Sequence, residues 1–205
     1  QPIMIGSQLM CIRLDANNLW KDRCDEAVHY TLALGRERFF AVEEPVRAKH
    51  VEDICRFYEA TGYAVILDES LCALEDLRRF ENVRGPFIIN IKISRVGGLL
   101  RALALIDEVK KQGRPIILGC HVGETSLLTR AALVAAAAAG GSLLAQEGAF
   151  GDYLVKDEPV EPVLRFGPGG VLDLRIPYTV NTASGPKIIP LENWQAGFGM
   201  QGCMP

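Results

Sequence analysis

The chain has 205 residues, 49% of them hydrophobic, and a formal charge of −3. This composition predicts a single soluble globular domain with a sizeable core. It excludes a nucleic-acid surface, since no lysine and arginine cluster is present, and a membrane span, since the longest apolar stretch, residues 131–139, is too short to cross a bilayer.

In chain order, QPIMIGSQLM reads as the tail of a helix and a loop into the first strand. It lacks the charged start and apolar core of a secretory signal. The apolar run that follows ends on Asp15 and Asn17. A helix is predicted over 22–36, then a strand over 39–42 that ends on Glu43 and Glu44. A second helix over 51–61 leads to a strand over 63–67 ending on Asp68 and Glu69. A short helix over 72–80 precedes the strand 87–91, which ends on Lys92. Leu99, Leu103, Ile106 and Val109 then recur at helical spacing. The apolar run 114–120 comes next, followed by the helix ETSLLTRAALVAAAAAGG, closed by Gly140 and Gly141. SLLAQEG is one more short strand. From residue 158 the chain is rich in Gly and Pro, and residues 158–205 read as an irregular or hairpin-forming tail packed on residues 1–157.

Strand alternating with helix predicts an α/β fold with a parallel sheet covered by helices. The strands are continuously apolar, as parallel strands buried on both faces are. Their polar ends recur every 24 to 28 residues, about the length of one strand, one helix and two loops. Charge at successive strand ends points to a (β/α) barrel, whose strand ends surround one site. An open doubly wound sheet places its ligand at one switch point and does not need charge at every end; the chain also has no GxGxxG after its first strand. Six strand ends are countable where a closed barrel has eight.

Taken singly, Asp15 and Asn17 are ordinary turn formers and Lys92 an ordinary surface lysine. In register they form a set. Asp15, Glu43 and Asp68 project from adjacent strand ends into one mouth, where three uncompensated carboxylates repel. A hard divalent cation resolves this: Mg²⁺ takes oxygen ligands and keeps positions for substrate oxygens. A lysine beside such a cation gives up its proton more readily and serves as a base near neutral pH. The set suits removal of a proton next to a carboxylate, with the metal stabilising the enediolate and Lys92 moving the proton.

RLDAN, VEEP, LDES and NIKISRVGG, in this order and spacing, resemble the third to sixth barrel strands of the enolase superfamily, closest to its muconate lactonizing enzyme-like subgroup. The resemblance covers roughly residues 12–157, with a looser match at GFGM. It implies a partial (β/α)8 TIM-type barrel, units three to eight over residues 1–157, lacking the N-terminal capping domain and the first two strands. It implies Asp15, Glu43 and Asp68 as metal ligands for Mg²⁺, with Mn²⁺ as the alternative, and Lys92 as the acid/base. Glu69 and Asn17 are implied to orient the lysine and the ligands. The aspartate that supports a catalytic histidine in the mandelate racemase-like subgroup is replaced here by Lys92, so His121 has no dyad partner of that kind.

Asn17, His121 and Glu147 are the candidate substrate contacts, with Glu147 equally placed to be an electrostatic partner of Lys92. Glu124 is expected to cap the first turn of its helix, and Glu44 to be a solvated loop charge or a contact to a cap. The six cysteines lack metal-ligand spacing and read as reduced thiols of a cytoplasmic protein. The expected activity is Mg²⁺-dependent proton abstraction α to a carboxylate, in a racemase, epimerase, cycloisomerase or dehydratase. Its substrate is a small carboxylate, with neither nucleic acid nor membrane as partner. The rival reading is a truncated, non-catalytic remnant that binds at most a metal or a partner chain. A homo-oligomer, or association across the open barrel edge, is expected because unpaired strands are otherwise left exposed.

Overall fold

A computed structural model describes residues 4–5, 8–9, 12–35, 39–83, 85–148, 154–155, 158–165, 168, 172, 178–182 and 185–189. Its centre is a six-stranded parallel sheet whose strands lie side by side in chain order. The strands are β3 (Arg13–Asp15), β4 (Ala41–Glu43), β5 (Ala64–Leu67), β6 (Phe87–Lys92), β7 (Ile116–Gly119) and β8 (Leu143–Gln146). Each neighbour in space is the next strand in sequence, so every connection is a crossover of the same kind. The helices on these crossovers are α1 (Cys24–Ala33), α2 (Val51–Thr61), α3 (Leu74–Arg78), α4 (Leu99–Lys111) and α5 (Ser126–Ala139). This is a partial TIM barrel, the open arc that the strand-end count implied.

Two apolar layers hold the arc. Val42, Val65, Leu67, Ile89, Ile91, Ile116 and Leu118 pack with Ile54, Phe57, Leu105 and Ile106 of the helices. The alternate residues Ala41, Ile66, Ile88 and Ile117 form a second cluster on the inner face. Each of these large side chains contributes about 1.5–3 kcal/mol by leaving water.

Local differences from expectation have local causes. The opening residues form a two-stranded antiparallel pair, β1 (Met4–Ile5) with β2 (Gln8–Leu9), instead of a helix tail. The Gly6-Ser7 link in the sequence is a hairpin signal. Helix α1 is shorter than 22–36 because turns precede it and Gly35, with φ +87°, follows it. Helix α3 begins at Leu74 because the Asp76 carboxylate accepts the N–H groups of Cys72 and Ala73, at 3.0 and 3.1 Å. In the tail, β10 (Tyr178–Thr182) and β11 (Gly185–Ile189) form an antiparallel hairpin extended by β9 (Val160–Glu161). GFGM lies outside the described residues. No helix among the described residues is long and apolar enough to cross a membrane. Cys24, Cys55, Cys72 and Cys120 carry free thiols.

Candidate active site

Parallel strands deliver all their C-terminal ends to one side. Period-2 alternation then decides which side chains enter the barrel. Ala41 faces inward, so Glu43 does too. Ile66 places Asp68 on that face, Ile88 places Asn90 and Lys92, and Ile117 places Gly119. The inner face is therefore apolar at its base and charged at its mouth.

Glu43 is buried, and Asn90 Nδ2 donates to its Oε1 at 2.7 Å. Its Oε2 is buried without a hydrogen bond, 3.6 Å from Arg13 Nε. Burial pushes the Glu43 carboxyl up, the Asn90 hydrogen bond and Arg13 oppose this, and Asp15 and Asp68 add to the rise. Asp15, exposed, lies opposite Glu43 in register and accepts the Asn17 N–H at 2.9 Å. Asn17 and Asn18 hold this turn at φ +46° and +58°, a region that asparagine tolerates.

Asp68 is buried between two cations. Lys92 Nζ donates to Oδ2 at 2.7 Å, and Arg95 donates to Oδ1. Arg95 also reaches Glu69 Oε1 at 3.4 Å, and Asn18 Nδ2 donates to Glu69 Oε2 at 3.1 Å. Glu69 is thus held by Asn18 and Arg95, while Lys92 meets Asp68 and not Glu69, and Asn17 reaches Asp15 through its own N–H.

His121 sits at the rim, with Nδ1 2.7 Å from Ser94 Oγ. Ser94 Oγ donates to Glu124 Oε1 at 2.9 Å. A hydroxyl has one hydrogen, so the ring Nδ1–H donates to Ser94 and Nε2 is left to accept from Arg95, 3.4 Å away. Glu124 does not cap its helix: it turns back to accept the His121 N–H at 3.0 Å. The first turn of α5 is capped by Glu158, which accepts the Ser126 N–H at 3.0 Å. Glu147 pairs with Arg13 and accepts the Cys120 N–H at 3.2 Å; its electrostatic partner is Arg13 and not Lys92. Glu44, expected as a solvated loop charge or a contact to a cap, is 0% exposed within this chain.

The structure thus gathers Glu43, Asp68, Glu69 and Lys92 with three residues that the sequence did not single out: Arg13, Asn90 and Arg95. The signal for Asn90 was available, a polar residue inside the apolar FIINIK on the same face as Lys92. Oxygen donors on three adjacent strand ends, one of them a buried carboxylate oxygen without a hydrogen bond, fit a hard divalent cation. Among the described residues no three Asp, Glu, His or Cys side chains already converge on one point; both oxygens of Asp68 are engaged by Lys92 and Arg95.

Residues 4–174 match the family described as enolase C-terminal domain-like. The chain is 30% identical over 128 residues to the L-Ala-D/L-Glu epimerase of Clostridium acetobutylicum, covering 62% of this chain and 35% of that one. It is 37% identical over 78 residues to the o-succinylbenzoate synthase of Bacillus subtilis, covering 38% and 21%. The fold matches a crystal structure of the dipeptide epimerase from Enterococcus faecalis V583 complexed with Mg and the dipeptide L-Leu-L-Tyr. That match has a TM-score of 0.70 at 24% identity, over 83% of this chain and 47% of that one. The match thus spans less than half the length of each of these relatives.

Proposed function

The chain belongs to the enolase C-terminal domain-like family, and from that premise we propose that it removes and returns a proton α to a carboxylate, with Mg²⁺ as cofactor. The observation that carries this reading is Lys92 Nζ, 2.7 Å from Asp68 Oδ2 at the mouth that also holds Glu43. Asp15, Glu43 and Asp68 are the residues that would hold the cation, and Mn²⁺ accepts the same donors. When bound, the cation supplies the positive charge that stabilises the substrate carboxylate as negative charge builds on it.

The remaining roles fall to the chain itself. Lys92 moves the α-proton on one face of the substrate; inversion needs a proton delivered to the opposite face. Arg95 and Asn18 hold Glu69 beside it. Asn17, His121 and Glu147 are substrate contacts on three sides of the mouth. Asn90 fixes one oxygen of Glu43 and so directs the other. The relatives named as epimerases support a racemase or epimerase acting on a small carboxylate such as a dipeptide. Cycloisomerisation and dehydration share the same first step, and the o-succinylbenzoate synthase match keeps that outcome second. Among the described residues β3 and β8 each pair with a single neighbour, which supports association across the barrel gap.

The test is incubation with L-Ala-L-Glu and N-acyl amino acids in D₂O, following the α-proton signal by NMR. Mg²⁺-dependent exchange is expected, slowed at least about 100-fold in Lys92→Ala. Exchange at the parental rate in that variant removes Lys92 as the base. Metal binding by the parent with no exchange on any substrate favours the non-catalytic remnant.

A further inference from the structure

Glu44 is an acidic side chain beside the mouth that the proposed reaction does not use. It is completely buried, and its backbone has φ +39°, unusual for a residue with a side chain. Its surroundings explain both. Oε1 accepts the N–H groups of Asp68 and Ser70, each at 2.7 Å. Oε2 accepts the Ser70 hydroxyl at 2.9 Å. The Ser70 oxygen in turn accepts the Lys49 N–H at 2.8 Å. The Glu44 carbonyl accepts the Asn18 N–H at 2.7 Å, and the Glu44 N–H donates to the Ile66 carbonyl at 3.1 Å. One residue thus ties together the loops after β3, β4 and β5, the three strands that end on Asp15, Glu43 and Asp68.

Of these bonds, the one to the Asp68 N–H bears most directly on chemistry. It fixes the backbone from which the Asp68 side chain departs, at the point where β5 ends and the chain turns. A buried carboxylate on two N–H groups and a hydroxyl is a strong, directional anchor. Without it, those two N–H groups lose their acceptor in a site closed to water, and the loop must rearrange to satisfy them.

Resting on the metal-site reading above, we infer that Glu44 is a positioning residue: through the N–H groups of Asp68 and Ser70 it sets the direction in which Asp68 presents its carboxylate to a divalent cation. It touches neither metal nor substrate. The role is geometric, so a neutral side chain of the same shape retains most of it. A glutamine oxygen still accepts both N–H groups, and its amide nitrogen donates to the Ser70 oxygen in place of the bond it loses.

The test compares the parent, Glu44→Gln, Glu44→Ala and Ser70→Ala. Mg²⁺ affinity is measured by calorimetry, and amide hydrogen exchange at residues 68 and 70 by NMR, at a temperature where circular dichroism shows each variant folded. Glu44→Ala is expected to weaken Mg²⁺ binding about 10–100-fold, the range for an outer partner of a metal ligand, and to lose exchange protection at both amides. Glu44→Gln is expected to stay within about threefold of the parent, below that range, and to keep the protection. Ser70→Ala, which removes only the hydroxyl, falls between them and carries the test if Glu44→Ala does not fold. A folded Glu44→Ala with parental Mg²⁺ affinity and protected amides overturns the inference, as does a Glu44→Gln that loses as much as the alanine. A parent that binds no Mg²⁺ overturns the metal-site reading instead. The exchange measurement then still decides whether Glu44 holds Asp68 and Ser70.

Discussion

The middle of the sheet and its two flanks are built to different standards. Strands β4 to β7 are buried almost throughout, and their ends are joined by hydrogen bonds to buried carboxylates: from the Asn90 side chain to Glu43, from the Asp68 and Ser70 N–H groups to Glu44, and from Lys92 to Asp68. The flanking strand β3 has no fully buried residue, and β8 exposes the neighbouring Leu144 and Ala145, which lie on opposite faces, Leu144 at 54%. Precision is concentrated where a strand has a neighbour on each side. Such a strand cannot shift register without moving its whole inner set, so a carboxylate at its end is held by the entire sheet. Asp15, at the end of a flanking strand, is held by little more than its own turn.

Truncation of a core side chain gives the largest expected effect. Leu67→Ala, at a fully buried site on β5, should cost about 2–5 kcal/mol in urea unfolding, from lost burial plus a cavity. A cost under 1 kcal/mol would show the middle of the sheet to be as loose as its flanks. The next effect is on the site. Glu43→Gln should lower Mg²⁺ affinity more than about tenfold, the loss typical of even an outer partner, with the unfolding midpoint nearly unchanged. Calorimetry and urea titration on the same sample separate the two.

A third effect follows from pH. Burial pushes the Asp76 carboxyl up, but Lys49 and the N–H groups of Cys72 and Ala73 outweigh it and hold it below the ordinary carboxylate range. A carboxyl lowered in the folded state adds stability that is present above its unfolded value, about 3.9, and is lost as pH falls through its folded value. Thermal unfolding from pH 7 down to pH 2 should therefore show an acid limb below about pH 4 that is shallower in Asp76→Asn. A variant with the parental limb would detach Asp76 from the loop that follows β5. The smallest effect belongs to the flank: Leu144→Ala should change stability by no more than about 0.5 kcal/mol. A cost equal to that of Leu67→Ala would mean that β8 is covered in solution, and would break the contrast outright.

Much of this was legible in the sequence, because strand period and strand-end charge are local. The order of the six strands, their parallel pairing and the placing of Glu43, Asp68 and Lys92 at one mouth followed from spacing alone. What stayed hidden depended on contacts between segments far apart in the chain. Glu44 read as a solvated loop charge or a contact to a cap because it stands between a strand end and a proline. Its burial comes from two N–H groups more than twenty residues away. Glu124 read as a helix cap because it precedes α5, yet Ser94 and His121 claim it and Glu158 takes the cap. Gly119 carried no signal at all. A Cβ there would collide with the Asn90 side chain that holds Glu43, so its smallness keeps that hydrogen bond in place.

The ion pair between Arg13 and Glu147 has a kinetic consequence. It joins the first and last strands of the sheet across the interior of the arc, so nearly the whole described barrel segment is the loop that must close before it forms. Closing a loop of that length costs entropy that no local contact repays early, whereas each neighbouring strand pair closes over a single crossover. The pair should form after the transition state. Arg13→Ala is then expected to speed unfolding while leaving the refolding rate close to that of the parent, the signature of a contact made last and broken first.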